Sequence, residues 1–289
     1  MDDALDFPWI QTDGLTKSYK KKRALDSVTL NFSDGVTLLM GKNGSGKSTF
    51  ISIIEGLCIP TFGTIRVFGM DPVKSYIEIF KRISFLPERP VTYDDGKVSN
   101  FFMQYNEFNH INSDTLDSLI SLFQIDYLQR QKFKSLSLGE MQLVLLSAVL
   151  STEREAYVLD EPNANLDQDN RAKLWSHLEK IAERGKKLLI VSHTPDQVAN
   201  FSDSIILFNS GKVSSVVKAA DYWNDKNNIY RIVCENPDYV KERLKDFDPI
   251  IRNNSLEVRA PKINMILNSL DQEAMNGILS IDHYKEDIA

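Results

Sequence analysis

The chain has 289 residues, 40 acidic and 34 basic, and a formal net charge of -6 with histidines neutral. A composition that is 42% hydrophobic and 26% charged excludes bulk disorder, and the acidic balance gives no overall charge for sequence-independent binding of nucleic acid. No uncharged apolar run reaches the roughly 18 residues that span a bilayer, and the acidic start Met1-Asp2-Asp3-Ala4-Leu5-Asp6 lacks the apolar centre of a secretory signal.

In chain order, Trp9 to Met40 reads as strands. Ser27 to Phe32 alternates, with Val28, Leu30 and Phe32 on one face, and Asp34-Gly35 marks a turn. Val36 to Met40 is a continuous apolar run, the mark of a strand covered on both faces. A glycine-rich loop follows it, then a helical pattern from about Lys47 to Leu57. Phe101, Phe102, Tyr105 and Phe108, then Leu116, Leu119, Ile120 and Phe123, recur at three- and four-residue intervals, so two amphipathic helices with core-facing stripes are expected. A second strand-helix-strand run is Ala156 to Leu159, Asn170 to Arg184 stopped by Gly185, and Leu188 to Ser192. After about Tyr222 the pattern restarts. Strands are expected at 228–234, 255–259 and 277–281, and helices at 237–247 and 263–270, giving a small α+β unit. Cys58 and Cys234 lie far apart with no CxxC spacing, so both read as reduced apolar fillers in an intracellular chain.

Two segments carry chemistry. Gly41-Lys42-Asn43-Gly44-Ser45-Gly46-Lys47-Ser48, with Thr49 after it, fits the phosphate-loop pattern G-x4-G-K-[ST] between a buried-type strand and a helix. Glycines let successive backbone N–H groups wrap a phosphate, the helix N-terminus adds a positive dipole end, Lys47 reaches the outer phosphates and Ser48 ligates Mg²⁺. Ala156-Tyr157-Val158-Leu159-Asp160-Glu161 puts two carboxylates at the end of an apolar strand. Asp160 is expected on the metal through water, with Glu161 as general base toward the attacking water.

Taken with these, later segments resemble the ATP-binding subunits of ATP-binding cassette (ABC) transporters over about residues 10 to 215. Leu136-Ser137-Leu138-Gly139-Glu140, followed by Met141-Gln142, resembles the family's LSGGQ signature and opens an apolar helix. Asn165-Leu166-Asp167 resembles the loop that crosses between subunits, His193 the switch histidine that senses the γ-phosphate, and Tyr19 the aromatic that stacks on adenine. Leu86-Pro87-Glu88 stands at the Q-loop, where Glu88 replaces the family's glutamine near Mg²⁺. The resemblance therefore implies catalytic roles for Glu161, His193 and Lys47. It places nucleotide contacts at Tyr19, Gly41 to Thr49, Ser137, Gly139, Glu140 and Asp167, and metal contacts at Ser48, Glu88 and Asp160. Three departures stand out: Glu88 for Gln, Leu138 for the first signature Gly, and Glu140 for its Gln. Lys20-Lys21-Lys22-Arg23 reads as a solvated hairpin tip, with a phosphate or membrane-surface role as the alternative.

The implied fold is α/β: a P-loop NTPase cassette over 1–220, with a mixed core sheet, a β-subdomain and a helical subdomain at about 90–150. A small α+β domain follows over 221–289 and resembles the C-terminal domains of bacterial drug- and peptide-exporter ATPases. The implied activity is ATP hydrolysis with ATP and Mg²⁺, at the interface of a head-to-tail dimer, as a homodimer or a heterodimer. It drives export of a drug or peptide through a separately encoded transmembrane permease at the cytoplasmic face of the membrane. No nucleic-acid partner is expected. Two alternatives remain: a soluble ABC-type switch acting on nucleic acid or ribosomes, and a regulatory nucleotide-binding subunit with little turnover.

Overall fold

Alternation of buried and exposed positions makes β1 (Ile10–Tyr19) and β2 (Lys22–Phe32) an antiparallel pair, and the fully buried run Val36–Met40 is β3. The glycine-rich loop leads into α1 (Lys47–Ile54), which stops three residues short of the expected Leu57 because Gly56 takes a left-handed φ of 74°. Next come β4 (Phe62–Val67), α2 (Tyr76–Phe80), β5 (Ile83–Leu86), α3 (Val98–Asn109), α4 (Ser113–Phe123) and α5 (Leu138–Leu150). Two short 3-10 turns, Asp126–Arg130 and Phe133–Ser135, lead into α5. Then follow β6 (Ala156–Asp160), α6 (Gln168–Glu183), β7 (Lys187–Ser192), β8 (Ser204–Asn209) and β9 (Lys212–Lys218). This computed structural model describes residues 8–20, 22–33, 35–87, 96–192, 198, 201–224, 228–247, 249–252, 255–260, 266–267 and 269–285.

The chain divides into two units, Met1–Val217 and Lys218–Ala289. The first contains a six-stranded sheet in the order β5-β6-β7-β3-β8-β9 and a three-stranded sheet in the order β2-β1-β4. β3 pairs in parallel with both β7 and β8, so its C-terminal end, where the glycine-rich loop starts, sits inside the sheet rather than at an edge. β6 pairs in parallel with β5 and β7, so the Asp160 end of β6 points the same way as the Met40 end of β3. Parallel neighbours thus bring the two chemistry-bearing strand ends to one rim of the sheet. This is the mixed α/β cassette that the sequence implied.

Phe50 fixes α1 in that frame. It is 0% exposed and packs between Phe32 of β2, 5.8 Å away, and Phe208 of β8, 5.6 Å away, while Trp9 extends the aromatic row at 6.5 Å from Phe32. Removal of such a ring costs about 3–5 kcal/mol in lost burial and cavity. α5 is buried along its length from Met141 to Leu150, which explains why its sequence shows no polar face. The stripe of α3 is correct for Phe101 and Phe102, which are buried, but Phe108 is 80% exposed. It lies two turns beyond Phe101, whose ring packs on Phe133 at 5.0 Å.

In the second unit α7 (Ala219–Asn224) is followed by β10 (Asn228–Cys234), α8 (Pro237–Arg243), β11 (Ile250–Arg252), β12 (Ser255–Arg259), α9 (Gln272–Asn276) and β13 (Ile278–Lys285). The sheet order is β11-β12-β10-β13 with every pairing antiparallel, which is the split β-α-β arrangement of ferredoxin-like domains. Its core includes Tyr230, Ile232, Cys234, Val240, Leu244, Leu256 and Val258. The short edge strand β11 had no signal of its own in the sequence. The helix expected over 237–247 ends as α8 at Arg243 with a 3-10 turn at Lys245–Phe247, and half of the one expected over 263–270 lies outside the described residues. Among the described residues no helix is long and apolar enough to cross a membrane.

Candidate functional site

The loop after β3 is shaped by contacts that admit no side chain at Gly46. This residue caps α1 with φ 112°, and a Cβ there would lie 2.6 Å from the Ala24 carbonyl oxygen and 2.9 Å from Leu25 Cδ2. Backbone bonds tie the loop to its neighbours: the Gly211 amide donates to Ser45 O at 2.8 Å, the Asp26 amide donates to Gly211 O at 2.8 Å, and the Phe50 amide donates to Gly46 O at 2.9 Å. The loop is therefore pre-organised by β2, α1 and the β8–β9 turn before any ligand arrives.

Lys47 is 7% exposed, and its Nζ donates to the Gly41 carbonyl at 2.6 Å and the Lys42 carbonyl at 3.4 Å, so the ammonium is folded inside the loop. A cleft of about 430 Å³ lies over it, lined by Tyr19, Lys22, Ala24, Asn43, Gly44, Gly46, Lys47, Ser48, Thr49, Asp160 and Glu161. Gly41, Lys42 and Ser45 supply the rest of the loop's backbone. Asp160, 5% exposed, ends β6. Glu161 then takes a left-handed φ of 47°, which turns its amide onto the Val191 carbonyl of β7 at 2.9 Å and sends its side chain to the cleft.

Tyr19 stands at the rim, 49% exposed. Its hydroxyl lies 3.2 Å from Cys58 Sγ, and the Lys17 ammonium sits 5.0 Å from its ring centroid. The Cys58 hydrogen bond, with burial, pushes the phenol above its usual range, so the hydroxyl is neutral. Lys22 joins the cleft from the hairpin tip that the sequence read as solvated, and Cys58, partly buried against the core as expected, also meets the tyrosine hydroxyl.

The signature segment does not line this cleft. Ser137 is the N-cap of α5, and Gly139 passes so close to the cross-over loop that a Cβ would lie 2.7 Å from Asn165 O. Asp167 caps α6, its carboxylate accepting from the Asn170 amide at 2.8 Å. Buried Gln142 donates to Pro162 O at 3.0 Å and ties the signature helix to the acidic strand end. That role, and the contact of Tyr127 with Glu140, escaped the sequence because each depends on partners distant in the chain. Glu88 and His193 lie outside the described residues.

These residues fit a nucleoside triphosphate with Mg²⁺. The backbone leaves no room for a Cβ at Gly41 or Gly46, Ser45 Oγ is buried with no hydrogen-bond partner, and Ser48 with Asp160 offers the hard oxygen donors that Mg²⁺ takes. Among the described residues no group of three or more His, Cys, Asp or Glu side chains is placed to hold a metal by itself. Mg²⁺ in phosphate-loop proteins is shared with the substrate's phosphates.

The ABC transporter family profile matches residues 25–164. The manganese transport system ATP-binding protein MntB of Listeria monocytogenes is 30% identical over 217 residues, covering 71% of this chain and 88% of the relative. The spermidine/putrescine import ATP-binding protein PotA of Spiroplasma citri is 26% identical over 255 residues, covering 83% and 72%. The dimeric structure of a bacterial ABC transporter cassette superposes with a TM-score of 0.64 at 24% identity, over 73% of this chain and 98% of that one, a likeness of fold.

Proposed function

The chain belongs to the ABC transporter family as an ATP-hydrolysing, ATP-binding subunit of a transporter, and on that premise we propose that it works as a head-to-tail dimer beneath a separate transmembrane permease. The observation that carries the reading is a single cleft holding the glycine cradle with Lys47 and Ser48 on one side and Asp160-Glu161 on the other.

ATP enters with its adenine against the Tyr19 ring and its phosphates on the amides of Gly41 to Thr49. Lys47 leaves the loop carbonyls for the β- and γ-phosphates, exchanging neutral acceptors for charged ones. Ser48 and Asp160 would hold Mg²⁺, with Glu88 as a further oxygen donor, and the ion would supply positive charge beside those phosphates. Glu161 orients a water and takes its proton as that water attacks the γ-phosphorus, the bond from the γ-phosphorus to the β–γ bridging oxygen breaks, and ADP leaves with inorganic phosphate formed; His193, next in sequence after β7, steadies the terminal phosphate. Ser137, Gly139 and Asp167 lie outside the cleft of their own chain, which supports their serving the nucleotide of a second copy. A twofold dimer completes two such sites with one surface. The Gln142–Pro162 bond then links the signature helix of each chain to its own acidic strand end.

The test is full-length protein reconstituted with the membrane protein encoded beside it. Glu161→Gln should abolish turnover and trap an ATP-bound dimer. If the wild-type complex binds ATP with no turnover above that variant, the low-turnover regulatory reading, which Leu138 and Glu140 favour, replaces this one. Tight binding to RNA or ribosomes without a membrane partner refutes the transporter assignment for the switch reading.

Export is the direction that the second unit's resemblance supports, whereas a relative such as PotA carries an import name. Proteoliposomes with the ATPase facing outward distinguish the two. An exporter loads cargo into the lumen when ATP is added outside, and an importer empties it.

A further inference from the structure

The N-terminus of α5 carries a charge arrangement that the proposed reaction does not use. Ser137 and Glu140 form both halves of a capping box: the Glu140 amide donates to Ser137 Oγ at 3.3 Å, and the Ser137 amide donates to Glu140 Oε2 at 2.9 Å. The Ser137 hydroxyl also donates its own proton to Oε2, at 2.8 Å. The Tyr127 hydroxyl donates to the other oxygen, Oε1, at 3.0 Å.

The consequence is electrostatic. The Ser137 amide, followed by its hydroxyl and then Tyr127, holds the Glu140 carboxyl below the usual carboxylate range, so it is ionised at neutral pH. A full negative charge sits at the positive end of the signature helix, on the donors that a phosphate would need. Glutamine completes the same capping box without the charge.

We propose that Glu140, anchored by Tyr127, is a positioning residue that opposes closure: its carboxylate holds the Ser137 hydroxyl and repels the terminal phosphate of ATP bound to a second copy of this chain. The proposal rests on the dimer reading above. A phosphate bonded to Ser137 Oγ lies about 5 Å from the carboxylate, and at a partly solvated rim such a pair of charges shifts binding about fivefold. The chain thereby closes only at a higher ATP concentration than its cradle alone requires.

The experiment titrates ATP against full-length protein carrying Glu161→Gln and follows dimer formation by light scattering after gel filtration. Adding Glu140→Gln should lower the half-maximal ATP concentration about fivefold, with the thermal midpoint unchanged because the cap persists. That gain should shrink as salt is raised, which a purely structural cap does not produce. Tyr127→Phe should give a smaller gain alone and none on top of Glu140→Gln. Glu140→Ala, which removes cap and charge together, should lower the thermal midpoint. If Glu140→Gln leaves the half-point where it was, or raises it, the carboxylate is only a helix cap and the proposal is wrong. If the Glu161→Gln protein forms no dimer with ATP at all, the dimer reading itself fails and this inference falls with it.

Discussion

Substitution of Gly46 by alanine tests the cradle at its tightest point. The residue sits at φ 112° and ψ -4°, where an L side chain is strained by about 1–3 kcal/mol. The new methyl also meets the Ala24 carbonyl at 2.6 Å and Leu25 Cδ2 at 2.9 Å. The leucine tip can turn aside, but the carbonyl belongs to β2 and moves only with its strand, which adds about 1–3 kcal/mol. A total near 3 kcal/mol corresponds to about 6–12 °C for a cassette of this size. Gly44 is the control. It has φ 80° with nothing within 4 Å of a methyl placed there, so alanine costs about 1 kcal/mol and about 2–4 °C. That methyl instead projects where Gly44 lines the cleft and displaces phosphate from the loop. Calorimetry of the full-length variants with and without ATP and Mg²⁺ separates the two. Gly46→Ala should lower the nucleotide-free midpoint by about 6–12 °C and Gly44→Ala by only about 2–4 °C, and both should lose the ATP-induced rise. Equal midpoints for the two variants without nucleotide refute the steric account of the loop.

Burial alone raises the Glu55 carboxyl from 4.5 to about 7. The folded state therefore holds the proton more tightly, and its advantage is complete below pH 4.5 and lost as pH rises through about 7. Glu55→Gln should stabilise the cassette by about 1–2 kcal/mol at pH 8, after discounting for solvent screening, and by nothing at pH 4. Burial, with Arg184 and Lys180 adding repulsion, lowers His177 from 6.5 to about 4. The sign is opposite: the stability tied to neutral His177 is present above pH 6.5 and lost as pH falls through about 4. Urea titrations should show His177→Gln flattening the stability profile between those values, by about 2 kcal/mol at its acid end.

The strand ends that matter were legible because their chemistry is local. Val36–Met40 needs only its own apolar run to be a buried strand, and the loop after it only its own glycines and Lys47. Asp160 and Glu161 were legible for the same reason, as carboxylates that interrupt an apolar strand. Phe108 misled because periodicity gives the face of a helix but not the point at which the layer beneath it ends. β11 was silent, since three residues carry no period. Cys58 read as a filler, and its contact with Tyr19 depends on a register between segments 39 residues apart.

The sequence by itself determined the cassette: a phosphate loop between strand and helix, an acidic strand end, a signature and their order. Those are short-range patterns, and each is dictated by backbone freedom, side-chain length or charge within a few residues. Only the tertiary structure decided what the patterns share. Parallel pairing of β3, β7 and β6 puts Lys47 and Glu161 on one cleft. The packing of the Asp126–Arg130 turn beside α5 puts Tyr127 on Glu140, and that contact decides which donors of Ser137 are already committed. Hydrogen bonds and close approaches between distant segments obey distance, and distance in a folded chain is set by the packing of the whole.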